Sequence, residues 1–296
     1  MKILVRFIVV ALVVAACDLA GDPSTTSAVE STPSTQSVTT AATTSTTGVV
    51  AATTLAPPED APCDVGETTF STERILATFG VAVGDAEQLS AIRWAEYDDC
   101  ERFVLDFLTS DGAPASIMGD TSVTLLNEFD VVRITLPEEV TATQINDMLI
   151  DTQLIKRAYV VRLNDTALAV DVHLKSAAQA RAFGLPEPAR SVVDLQPRTE
   201  TDDPITPAVA NRLVLLVSPS RSGQDIVLAG YSWNGNTVTV TYGGETTTIR
   251  PTSSFAATGN TGWYWFVGSV DRQTVDTTTL VADNGASTVS LRLGAS

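Results

Sequence analysis

The stretch AYVVRLNDTALAVDVHL, residues 158–174, constrains this chain more than any other. Two apolar runs flank Asn164-Asp165, residue types that tolerate tight-turn geometry, so the segment reads as a β-hairpin. The same cadence appears in LSAIRWAEYDDCERFVLDFL, from Leu89 to Leu108. Ile92 and Trp94 alternate with Arg93 and Ala95, and Phe103, Leu105 and Phe107 alternate with Val104, Asp106 and Leu108. Period two is the strand signal, and Glu96 to Glu101 form the polar turn. FDVVRITLP and ARSVVDLQP add strands, while TATQINDMLID reads as a short helix capped by Thr141 or Thr143. Beyond the acidic, Pro-containing RTETDDPITP, short apolar runs such as RLVLLV and STVSLRLG are parted by Gly, Asn and Ser, the spacing of a sandwich. The expected fold is mostly β, with two β-sandwich-like domains at 59–200 and 204–296, the first carrying one or two short helices.

The N-terminus has a different grammar. Lys2 and Arg6 precede an apolar run ending in Ala15 and Ala16, too short to span a bilayer comfortably, since a spanning helix needs about 20 apolar residues. Residues 1–16 have the layout of a secretory signal. Val14-Ala15-Ala16-Cys17 resembles the lipobox of bacterial lipoproteins, which implies that Cys17 becomes the first mature residue and carries the lipid; the alternative is an ordinary secretory signal that happens to contain a cysteine. Residues 17–58 follow as a lipidated N-terminus and Ser/Thr-rich tether. Between Pro23 and Thr54 only Glu30 is charged and no side chain is aromatic, so the segment has too little apolar surface to offset its ordering entropy and is expected to be disordered.

If Cys17 is acylated, only Cys63 and Cys100 remain of the chain's 3 cysteines. Outside the cytosol these two can pair; the alternative is two free buried thiols. A disulfide between them closes a loop of about 38 residues, worth about 4 kcal/mol in the chain-entropy picture. The full chain carries a net charge of -17, which becomes about -19 once Lys2 and Arg6 leave with the signal. A surface that acidic repels phosphate backbones, so nucleic acid is not an expected partner.

Two family resemblances add to this. DDCERFVLDF, followed much later by ARAFGLPEPARSVVDLQP, resembles the AMIN-like domains of actinobacterial lipoproteins, relatives of the AMIN domain found ahead of muramoyl-alanine amidases. Arg102 and Arg190 hold that pattern's arginine positions, and Asp106 and Asp194 its acidic ones. The resemblance covers about residues 85–197 and implies a module that places proteins in the envelope, in some members by binding peptidoglycan. No amidase domain follows it, which argues against an enzyme. In the second region, LVSP, then GYS, then GWYWFVGSV is similar to the immunoglobulin-like domain of bacterial spore-germination proteins. Where that family has an acidic-aromatic pair after GYS, this chain has Trp233-Asn234.

For chemistry the sequence offers little. His173 is the single histidine, which excludes a His-based metal cluster. Its place on an alternating strand, on the side of Asp171 and Ala169, reads as a surface position. EYDDCE is a carboxylate cluster with the oxygen ligands Ca²⁺ favours, or else a solvated hairpin tip, and no EF-hand spacing surrounds it. Trp263 and Trp265 alternate with Tyr264 and Phe266, so one face of that strand is core and the other is available to stack on a sugar ring or a partner. Trp233, Trp263, Tyr264 and Trp265 are therefore the candidate binding residues, with no catalytic residue, metal or cofactor expected. The expected role is a non-catalytic protein, lipid-anchored on the extracytoplasmic face of the membrane, that binds a wall polymer through the AMIN-like region. The alternative is an assembly subunit that binds other envelope proteins through its sandwiches.

Overall fold

Period-two patterning carries through into strands almost everywhere. The computed structural model describes Cys63 and residues 69–142, 147–198, 207–218, 225–252, 262–270 and 278–293. The signal segment, Cys17 and the Ser/Thr-rich tether lie outside the described residues. In the first region the strands are β1 (Ile75–Phe79), β2 (Gln88–Glu96), β3 (Glu101–Leu108), β4 (Thr121–Leu126), β5 (Val131–Thr135), β6 (Asp147–Leu149), β7 (Ile155–Arg162), β8 (Leu168–Leu174), β9 (Ala178–Leu185) and β10 (Arg190–Pro197). In the second they are β11 (Ala208–Ala210), β12 (Leu213–Val217), β13 (Ile226–Trp233), β14 (Val238–Tyr242), β15 (Glu245–Ile249), β16 (Trp263–Val270), β17 (Thr278–Asp283) and β18 (Thr288–Leu293). Both hairpins read from the sequence are present, β2–β3 and β7–β8.

The described residues of TATQINDMLID are not helical: three of them are strand, and residues 143–146, with the cap candidate Thr143, lie outside the described residues. Asp147–Leu149 form β6, paired antiparallel with β7, and Thr141 bridges to Gln88. Among the described residues the helical structure is one 3-10 turn, Asn127–Phe129. The apolar spacing that suggested a helix belongs to a short strand with Met148 and Ile150 packed on the core.

Three sheets build four layers. One four-stranded sheet has the order β2-β3-β10-β9. A second runs β1-β4-β5-β8-β7 and continues, through β16, into β13-β12-β11. The third has the order β15-β14-β17-β18. The continuation is a short parallel pairing of β7 with β16, Val161 opposite Trp263 and Arg162 opposite Tyr264. Beyond that seam the long sheet folds back on itself, and its two parts face each other.

Three hydrophobic cores fill the three gaps. The first lies between the β2-β3-β10-β9 sheet and β4, β5, β7 and β8, and includes Phe103, Leu105, Phe107, Ile134, Ile155 and Val172. The second lies under β14 and β17, with Leu213, Leu215, Leu228, Val240, Phe266 and Leu280. The third joins the regions: Leu126, Phe129, Val131, Tyr159 and Val161 meet Val214, Leu216, Ala229, Tyr231, Trp263 and Trp265. This explains why LVLLV in β12 is apolar throughout: its odd positions enter one core and its even positions another, as for any strand buried on both faces. The regions expected as separate domains thus share a sheet and a core, and all described residues belong to one compact unit, Val49–Ser296.

The outer face of the first sheet carries a ladder of ion pairs. Asp194 on β10 lies opposite Arg102 on β3 and Arg181 on β9. The Arg102 guanidinium donates to Asp194 through Nε at 2.7 Å and Nη2 at 3.0 Å, and Arg181 Nε donates at 3.0 Å. Asp106 pairs with Arg93. Cys63 and Cys100 form a disulfide with Cα atoms 6.4 Å apart, and the Cys63 carbonyl accepts from Arg181.

Candidate functional site

The seam between β7 and β16 leaves a pocket of about 430 Å³, lined by Asp147, Arg157, Tyr159, Val209, Ala210, Asn211, Arg212, Trp233 and Trp263. That volume is within the ~300–1,000 Å³ typical of small-ligand sites. Each wall follows from local register. Alternation on β7 sends Ala158 and Val160 into the first core and Arg157 and Tyr159 to the opposite face. β6 places Asp147 directly across from Tyr159. Trp233 ends β13 opposite Trp263, which begins β16. The turn after Trp233 needs two residues with positive φ, and Asn234 (58°) and Gly235 (66°) supply them. Asn234 then donates its N–H to the Gly262 carbonyl at 2.8 Å, which fixes where Trp263 enters the strand. The opposite rim is the turn between β11 and β12, held by Trp233 N–H donating to the Arg212 carbonyl at 3.1 Å.

The pocket's charges and rings are arranged unequally. Arg157 Nη2 pairs with Asp147 at 3.2 Å, while the exposed Arg212 makes no ion pair among the described residues. Trp233 is half-buried and stands edge-on to Trp263, with ring centres 5.2 Å apart. Two buried N–H groups of the lining residues, Arg157 Nε and Trp263 Nε1, have no hydrogen-bond partner among the described residues. Such a group costs about 1–3 kcal/mol, so two at one wall mark it as under-satisfied. Burial pushes the Tyr159 hydroxyl above its ordinary pKa, and neighbouring Arg157 opposes that rise.

Behind Tyr159 lies a buried polar network that ties the folded-back halves of the long sheet together. Arg133 forks onto Asp171 through Nε at 2.8 Å and Nη2 at 2.6 Å. The Tyr231 hydroxyl donates to Asp171 Oδ2 at 2.8 Å and lies 2.6 Å from His173 Nε2. With the Tyr231 proton committed to Asp171, its oxygen accepts from Nε2–H, which selects that neutral tautomer of His173. Burial is the largest cause holding the His173 pKa down at about 4; Asp171 opposes it, and Arg133 and Arg157 add to the depression. Arg133 also lies over the Trp265 ring, 4.0 Å from its centre.

His173 is therefore not a surface residue, as its alternation suggested; it is 3% exposed. The face of β8 that bears Asp171 and His173 is turned away from the first core, but β12, β13 and β16 cover it. Of the candidate binding residues, Trp233 and Trp263 line the pocket, whereas Tyr264 and Trp265 are buried and present no stacking face. The motif residues Arg102, Asp106 and Asp194 hold strands together on the far sheet, and Arg190 Nε donates to the Pro188 carbonyl. The EYDDCE turn is divided. Glu101 is buried and accepts from Leu154 N–H at 2.6 Å, Ile155 N–H at 3.2 Å and the Thr152 hydroxyl at 2.5 Å, so it caps a backbone turn rather than facing a cation. Glu96 accepts from Gln153 N–H at 3.3 Å. Cys63, Asp99 and Cys100 lie close together, but both sulfurs are committed to the disulfide.

Compared with protein-family models, with curated proteins and with solved structures, the chain matches none. Arg157, Asp147, Arg212 and Tyr159 were not legible as site residues in the sequence, because the pocket draws them from separate elements. Of the residues that line it, the sequence singled out Trp233 and, from the aromatic run GWYWF, Trp263.

Proposed function

We propose that this chain is a non-catalytic, lipid-anchored protein of the bacterial cell envelope that binds peptidoglycan or another wall polymer. The observation that carries the binding half of this reading is the pocket at the β7–β16 seam, which Trp233, Arg157 and Arg212 help to line. The AMIN-like resemblance supports a wall ligand, but the first region supplies only Asp147, Arg157 and Tyr159 to this pocket, so binding is assigned to both regions together. Cys17, placed at the end of an apolar run, supports anchoring on the extracytoplasmic face of the membrane.

The test has two arms. Full-length protein mixed with purified sacculi is expected to pellet with them; protein that stays in the supernatant contradicts wall binding. In cells, Cys17→Ser is expected to shift the protein out of the membrane fraction, and unchanged retention contradicts the lipid anchor.

A second reading, an assembly subunit that binds envelope proteins, has its own observation. Val81, Val83 and Ile117 are 47%, 81% and 49% exposed. The backbone bonds Val81 N–H to Met118 O and Asp85 N–H to Ile117 O bring them to one end of the first sandwich. Capture of a protein partner that Val83→Asp abolishes would favour it.

A further inference from the structure

Resting on the wall-binding reading, we infer that the seam pocket selects an acidic sugar, a pyranose ring bearing a free carboxylate, over neutral glycan. Three features of the lining decide the ligand chemistry. The first is charge. Two arginines and one aspartate are among the residues that line the pocket, a local excess of positive charge on a chain whose net charge is -17. Long-range attraction for an anion is absent from such a chain, so this local excess acts at contact distance, where a guanidinium fork matches a carboxylate. Arg212 is the free arm: it is exposed, makes no ion pair among the described residues, and its turn is pinned by the Trp233 N–H.

The second feature is Asp147. Its carboxylate is held by one bond to Arg157 Nη2 at 3.2 Å, and about a third of its side chain is accessible. A carboxylate accepts hydrogen bonds and donates none when ionised, so beside two arginines it asks for a ligand with hydroxyl donors as well as an anionic group. The third is Trp233, half-buried and perpendicular to Trp263, whose ring offers a flat apolar surface next to those charges. Hydroxyls, a carboxylate and an apolar ring face on one small molecule describe an acidic sugar. A zwitterionic peptide end has the two charges, but its net charge is zero and it does not use the arginine excess.

The experiment is a titration of the full-length protein, followed by tryptophan fluorescence. The ligands are a tetrasaccharide of alternating glucuronic acid and N-acetylglucosamine, the same tetrasaccharide with its carboxylates reduced to alcohols, and a free wall stem peptide. Saturable binding of the acidic form, about tenfold or more tighter than the reduced form, is expected, because one charge-assisted hydrogen bond is worth at least that factor. Arg212→Gln, an exposed change, is expected to erase about the same factor for the acidic form only, and Trp233→Ala to weaken both forms, with thermal unfolding checking that each variant is folded. Equal binding of acidic and reduced forms, no binding of either, preference for the peptide, or an Arg212→Gln variant that still discriminates would each overturn the inference. Sacculus pelleting separates this from the broader reading. Protein that pellets yet shows no acidic preference refutes the sugar class alone, and protein that does not pellet refutes wall binding itself.

Discussion

Tyr231 is the residue on which the junction turns. Its hydroxyl links the second region's β13 to His173 on β8, and it also donates to Asp171. Tyr231→Phe keeps the ring but leaves the His173 Nε2–H without an acceptor and Asp171 short of a donor. Two-state denaturant unfolding is expected to show a loss of about 1–3 kcal/mol; no loss would mean that the network does not hold the halves together. His173 itself makes a pH-dependent contribution. Its folded pKa of about 4 lies below the ordinary value of 6.5. As pH falls below 6.5 the unfolded chain takes up a proton that the folded one refuses, so stability falls. The loss is about 2 kcal/mol between pH 7.5 and pH 5, a window above the range in which ordinary carboxylates titrate. His173→Gln retains an N–H for Tyr231 and does not titrate, so its stability in that window is expected to be flat. An equal slope in both proteins would contradict the assignment. Gly230 shows how a short motif hides a packing demand: a Cβ there would come within 2.0 Å of the Val214 carbonyl, so Gly230→Ala is expected to be destabilising by about 1–3 kcal/mol in the same assay.

At the scale of elements, the charges of RFVLDF and RSVVDL act between strands. Asp194 is fully buried and takes bonds from Arg102 on one side and Arg181 on the other. Asp194→Asn removes the negative charge while both arginines stay, and breaking a buried pair in this way costs about 3–5 kcal/mol. A fall of that size in unfolding free energy, with the pocket's ligand affinity unchanged in the folded fraction, is the expected result; a selective loss of binding would contradict a purely structural role. The strands were legible where two faces differ, as in β2–β3 and β7–β8, because alternation reports a core on one side. It misled wherever a second core lay on the other side. Asp171 and His173 looked solvated because polar residues on alternate positions usually are, and nothing local to β8 shows that β12, β13 and β16 cover them. The short β6 read as a helix because three residues of an edge strand carry too little pattern to oppose helical spacing. The pocket was illegible for a related reason: its residues run from Asp147 to Trp263, and only the fold-back of the long sheet brings them together.

The described residues form one compact unit, with the candidate pocket at the joint between its two regions. The third core contains Phe129, Tyr159, Tyr231, Trp263 and Trp265, side chains that neither region can leave in water cheaply. Residues 59–200 expressed alone would expose Tyr159, Phe129 and Val161 on the outer face of β4–β5–β8–β7. That segment is expected to bind a hydrophobic dye and to unfold at a lower temperature than the full chain; an isolated segment as stable as the full chain would show that the joint contributes nothing. Hydrogen exchange on the full-length protein, with and without soluble sacculus fragments, tests the central claim most directly. The predicted result is ligand-dependent protection on both sides of the seam together, at 157–161 in the first region and at 209–213, 231–235 and 262–265 in the second. Protection confined to 85–135, with the seam unchanged, would contradict it.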